Sequence, residues 1–118
     1  MSAVFAILFV VIMIFFIMQM SPIGVKQMDT DELRTKLQNK EVQLLDVRTE
    51  NEFASRSIRG AKNIPLHTLK KRITELNPSI ETAVICQSGM RSLKASKLLQ
   101  KHNFINVKNV RGGMNNWK

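Results

Sequence analysis

No charged side chain occurs in the first 25 residues; all 18 Lys and Arg and all 9 Asp and Glu fall at or after Lys26. A chain divided in this way is two objects, an uncharged N-terminal segment and a basic remainder with room for one small core. Residues 3–18 (AVFAILFVVIMIFFIM) are continuously apolar, and residues 19–23 extend the stretch to about 21 residues. At ~1.5 Å per residue that length matches a ~30 Å hydrocarbon core. In lipid a lone segment satisfies its backbone only as a helix, with Pro22 and Gly24 placed to end it. A cleaved signal peptide needs a cationic start, a shorter apolar run and a small-x-small cleavage site; none is present. The expectation is a transmembrane anchor helix over residues 1–23, with membrane contact through residues 3–23, and a second domain over residues 24–118. Lys26, Arg34, Lys36 and Lys40 follow the apolar run and no cation precedes it. The positive-inside rule then expects a single-pass protein of the cell membrane, N-terminus outside and domain cytoplasmic.

The net charge of +9 invites a nucleic-acid reading. The basic residues, however, are scattered over the whole domain and follow no groove-reading motif, so no nucleic-acid partner is expected. An anionic lipid leaflet accounts for the charge better. With one cysteine and two separated histidines, an internal disulfide is impossible and no metal site is expected. A single unpaired thiol is consistent with a reducing compartment.

Beyond the apolar segment, short apolar runs alternate with helical patterns. Residues 28–39 read as a helix with Asp29 or Thr30 as its cap and Leu33 and Leu37 on one face. Residues 42–47 (VQLLDV) read as a strand, 50–54 as one helical turn and 63–66 as a short strand. Residues 68–76 form a second helical pattern ended by Asn77-Pro78. Residues 82–85 (TAVI) are a buried-strand pattern, 92–102 a helix with Ala95, Leu98 and Leu99 inward, and 106–110 the last strand. Gly112-Gly113 then turns the chain toward Trp117. This alternation expects an α/β fold, a parallel sheet flanked by helices on both faces. Ligands of such sheets bind beyond the carboxyl ends of the strands, and Cys86 stands at such an end, ahead of a helix.

The loop Cys86-Gln87-Ser88-Gly89-Met90-Arg91 has the parts of an anion-stabilising thiol site. A short strand-to-helix loop curls its amides toward one centre, and the positive end of the following helix points there too. Arg91 adds a full charge, Gly89 the backbone freedom for a tight ring, and Ser88 and Ser92 add hydroxyl donors. A thiol in that field is expected to titrate below its ordinary value. The competing reading is a buried core cysteine, since free Cys is among the most buried residue types. Gly89, Arg91 and the helix start weigh against it.

With Ser92 added, this loop resembles the active-site loop of the single-domain rhodaneses, a family of sulfurtransferases. Leu44-Leu45-Asp46-Val47-Arg48, Glu52-Phe53 and Ile58-Arg59-Gly60-Ala61-Lys62-Asn63-Ile64-Pro65-Leu66 are similar to the family's first half. Asn106-Val107 to Val110, Gly112-Gly113 and Trp117 look like its C-terminal signature. The resemblance spans residues 27–117 and implies the rhodanese-like form of the α/β fold. It also implies a reaction in two halves. The Cys86 thiolate takes a sulfane sulfur from thiosulfate or a persulfide donor and passes it to a thiol or cyanide acceptor. In that scheme Cys86 and Arg91 are catalytic, and Gln87, Ser88, Gly89, Met90 and Ser92 bind substrate. No cofactor is implied. Four residues separate Cys86 from Arg91, whereas the related phosphatases and arsenate reductases have five; the smaller ring fits sulfur better than a tetrahedral oxyanion.

Asp46, Arg48 and Glu52 are expected to be structural support, an ion-pair and hydrogen-bond network at the strand end. The chain departs from many members at Arg56-Ser57, where Gly-His is common. Glu52 stands where some two-domain members carry an arginine near the substrate. Two other functions remain open: a non-enzymatic rhodanese-like module docking a partner at the membrane, and a thiol phosphatase or arsenate reductase.

Overall fold

The computed structural model describes residues 2–20 and 24–118, the side chains of 18–20 apart. Five short strands, β1 (Lys26–Met28), β2 (Gln43–Asp46), β3 (Lys62–Asn63), β4 (Thr82–Ile85) and β5 (Val107–Val110), form one sheet. All four pairings are parallel, in the order β1-β5-β4-β2-β3. The helices are α1 (Ser2–Met20), α2 (Thr30–Gln38), α3 (Glu50–Ser55), α4 (Leu69–Arg72) and α5 (Met90–Lys101). Single 3-10 turns flank α4, and another 3-10 element, Gly113–Asn116, follows β5.

The period-2 alternation of side chains divides the core in two. Leu45, Val84, Cys86 and Val107 face one layer with Leu69, Ala95, Leu99 and Phe104, contributed by α4, α5 and the segment after α5. Leu44, Ala83, Ile85 and Val110 face the other, with Met28, Leu33, Ile58 and Met114. Both faces of the sheet are therefore covered, the arrangement a continuous run such as TAVI requires because neither side can face water.

The helix starts follow local chemistry. Asp29 caps α2 by accepting a hydrogen bond from the Glu32 amide at 2.7 Å. Thr49 and Glu52 form a reciprocal capping box at the start of α3. The expected helix over 28–39 is shorter, because Met28 belongs to β1 and pairs with Val110. The expected helix over 68–76 is a four-residue α-helix between two 3-10 turns. The last helix begins at Met90, two residues before its expected start.

The structure does not show the expected membrane span. Among the described residues, no helix is long and apolar enough to cross a membrane. Helix α1 has 19 residues, about 28 Å at 1.5 Å per residue, slightly under a ~30 Å hydrocarbon core. Residues 21–23, which the expected span included, lie outside the described residues.

Candidate active site

Strands β2 and β4 are neighbours with aligned register, but the chain leaves β2 toward β3 and leaves β4 toward β5, in opposite directions across the sheet. That divergence opens a crevice at their carboxyl ends, the ligand position of open parallel sheets. Cys86 follows β4 directly into this crevice. Asp46, the last residue of β2, and Arg48, Thr49 and Glu52 beyond it supply the opposite wall.

Cys86 is buried, with 1% of its surface exposed. Its Sγ accepts a hydrogen bond from the Gly89 amide at 3.0 Å and lies 3.2 Å from the Ser92 hydroxyl. Burial pushes the thiol up. The Ser92 hydroxyl and the backbone amides of Ser92, Gly89 and Ser88 outweigh it, and the thiol lies below its ordinary value. The loop can close this tightly because Gly89, the N-cap of α5, adopts φ +113°, a left-handed conformation that glycine alone tolerates readily. Ser92 Oγ also reaches Asn109 Oδ1 at 2.5 Å and the Gly89 carbonyl at 3.1 Å. The Asn109 amide in turn donates to Gln27 Oε1 at 3.2 Å.

The loop is held from behind by the chain after β5. The Met114 and Asn115 amides donate to the Cys86 and Gln87 carbonyls at 2.9 and 3.0 Å. The Gln87 side-chain amide donates to Asn115 Oδ1 at 2.7 Å. Gly113 makes the approach possible: a Cβ there would stand 2.2 Å from the Cys86 carbonyl oxygen. The Gly112-Gly113 pair is thus a backplate for the nucleophile loop.

Arg91 lies in the first turn of α5. It is fixed by a bidentate pair, Nη1 to Glu52 Oε1 at 2.6 Å and Nη2 to Glu52 Oε2 at 2.9 Å. The hydrogen bond from Arg91, strengthened by the Thr49 amide and hydroxyl, holds the Glu52 carboxyl down to about 2. Arg48 is buried against Asp46, with Nε and Nη2 meeting both carboxylate oxygens at 2.8–3.1 Å. Its guanidinium also donates to the Glu52 and Arg56 carbonyls at 3.3 and 2.6 Å. This buried pair ties the end of β2 to α3 and so positions Glu52.

The sequence-predicted residues therefore meet at one place, though not in one role. Cys86, Gly89 and Ser92 are in direct contact, Gln87 turns toward Asn115, and Met90 points outward with 70% exposure. The sequence reading missed Asn109 and Gln27. Asn109 lies two residues after Val107 on the same face of β5, and a polar residue on the core-facing side of a strand was the available signal.

The fold and site are thus a parallel α/β sheet with a buried, hydrogen-bonded cysteine at the carboxyl end of a central strand. The sequence profile of the Rhodanese-like domain matches residues 29–118, and the chain belongs to that family. It is 33% identical over 94 residues to a sulfurtransferase of Allochromatium vinosum, covering 79% of this chain and 88% of that one. It is 38% identical over 78 residues to the uncharacterized protein YqhL of Bacillus subtilis, covering 66% of this chain but only 62% of YqhL. Among solved structures, a rhodanese-like domain protein from Staphylococcus aureus superposes with a TM-score of 0.74 at 37% identity, over 80% of this chain and 92% of that one.

Proposed function

We propose that the protein is a rhodanese-type sulfurtransferase that carries sulfane sulfur as a persulfide on Cys86. The observation that carries this reading is the Sγ environment: Gly89, Ser88 and Ser92 supply hydrogen-bond donors to a buried sulfur whose thiol they hold below its ordinary value. The same donors suit a sulfur anion one atom longer, so the charge of the covalent intermediate meets dipoles already in place. In the first half-reaction the Cys86 thiolate attacks the outer sulfur of the donor, the donor's S–S bond breaks, and its electron pair leaves on sulfite or on a thiolate. In the second, an acceptor thiolate or cyanide attacks the terminal sulfur and regenerates the Cys86 thiolate. Sulfurtransferase relatives support this choice of chemistry.

The test is turnover. With thiosulfate or a low-molecular-weight persulfide as donor, and cyanide or a thiol as acceptor, sulfur transfer is expected from the wild type and not from Cys86→Ser. Failure with every donor would instead favour a docking module that has the fold without the reaction.

We further propose that residues 1–23 attach the domain, residues 24–118, to the cytoplasmic side of the cell membrane, with the N-terminus outside. The support is physical. Val4, Ile7, Phe9 and Ile17 are all more than half exposed, and at about 100° per residue they surround a helix without a charged residue. A helix hydrophobic all round needs an apolar environment, and Lys26, Arg34, Lys36 and Lys40 follow it. Fractionation tests the attachment: the full chain is expected with membranes, and the chain lacking residues 2–20 in the supernatant.

A further inference from the structure

Among the described residues, two guanidinium groups reach the nucleophile loop, and both already hold carboxylates. Arg48 is buried against Asp46 and touches Gln87 only at 3.5 Å. Arg91, the only cation within the loop, is locked by both carboxylate oxygens of Glu52. Glu52 is itself fixed, because Oε1 also accepts hydrogen bonds from the Thr49 amide and hydroxyl at 3.1 Å. Each pair is neutral as a unit. The donors left for a substrate at Cys86 are thus uncharged amides and hydroxyls, which suit a sulfur atom of low charge better than a dianion.

We infer that Glu52 is a specificity-determining residue: by occupying Arg91 it makes the Cys86 site prefer an organic persulfide donor to dianionic thiosulfate. This rests on the sulfur-transfer reading above and names its donor class. The favoured step is Cys86–S⁻ + R–S–SH → Cys86–S–SH + R–S⁻. The donor's S–S bond breaks, a new S–S bond forms on Cys86, and the electron pair departs on the thiolate with no outside oxidant or reductant. Thiosulfate brings two negative charges to a thiolate, and the charge that would offset them is spent on Glu52.

Persulfide formation on Cys86 in the full chain, measured under single-turnover conditions with thiosulfate and with cysteine persulfide, tests the inference. Glu52→Gln keeps an oxygen for the Thr49 cap but releases the Arg91 charge. It is expected to raise the rate constant per unit concentration for thiosulfate about tenfold, the scale of one weakly screened charge at contact range. The persulfide value is expected to stay within about twofold, and the thiosulfate gain to fade as salt is raised. Thr49→Ala breaks the same helix cap without freeing Arg91 and is expected to leave the donor ratio unchanged. An unchanged ratio in Glu52→Gln overturns the inference while leaving sulfur transfer intact. So does an equal change in Thr49→Ala, which would trace selectivity to the start of α3. A wild type that takes sulfur from neither donor overturns the sulfur-transfer reading as well.

Discussion

Ser92 has one proton and three neighbours that can accept it: Cys86 Sγ, Asn109 Oδ1 and the Gly89 carbonyl. When Cys86 ionises, a charged acceptor outcompetes a neutral one, because hydrogen bonds to charged groups are the stronger. Ser92→Ala is therefore expected to move the alkylation profile of Cys86 to higher pH and to slow persulfide formation at neutral pH; an unmoved profile contradicts this account of the thiolate. At Glu52 the pairing with Arg91 depresses the folded carboxyl to about 2, from an ordinary 4.5. A depressed acid stabilises the fold above its unfolded value and loses that contribution as pH falls through the folded one. The stability difference between wild type and Glu52→Gln is thus expected at pH 6 and should shrink from about pH 4.5 toward pH 2, followed by urea unfolding. Asp46 belongs to the same scale. Asp46→Ala strands a buried guanidinium that is 3% exposed, and removing one partner of such a pair costs about 3–5 kcal/mol, readable by thermal unfolding.

Elements rather than single contacts decide where the loop sits. Strand β4 delivers Cys86 to the crevice, α5 presents its amino end, and the turn after β5 presses on the loop from behind. Gly113 has φ +57° and no room for a Cβ beside the Cys86 carbonyl. Gly113→Ala is expected to cost about 1–3 kcal/mol from backbone strain alone, and to depress sulfur transfer beyond what its stability loss explains. Normal activity in that variant would show that the backplate does not position the loop. Much of this level was legible in the sequence. VQLLDV and TAVI carry apolar residues at consecutive positions, Leu44-Leu45 and Ala83-Val84-Ile85, as strands covered on both faces must, and Cys86 directly follows one of them. Strand β1 was not legible, because Lys26-Gln27-Met28 has no apolar run and owes its conformation to pairing with β5. The segment around α4 was legible as helical but not as broken, since the switch between 3-10 and α turns depends on packing of Leu66, Leu69 and Ile73 against the sheet. The pair of Glu52 and Arg91, 39 residues apart, lay beyond any local pattern. The sequence placed both residues at the site without pairing them; the structure joins the Arg91 guanidinium to Glu52.

At the scale of the whole molecule, a basic domain with its nucleophile at the carboxyl edge of the sheet is joined to a helix with no charge. The strands are parallel and β1 is the first, so the chain arriving from α1 enters at the edge opposite Cys86. In intact cells a C-terminal tag is expected to resist an impermeant protease and to be cleaved only after lysis; cleavage before lysis contradicts the proposed orientation.

The central claim is that Cys86 itself holds the transferred sulfur. Intact mass spectrometry of the full chain after incubation with a persulfide or thiosulfate addresses it most directly. The account predicts an added mass of about 32 Da, one sulfur atom as a cysteine persulfide, present in the wild type, absent in Cys86→Ser and removed by cyanide. No adduct with either donor, or an adduct that survives in Cys86→Ser, contradicts it.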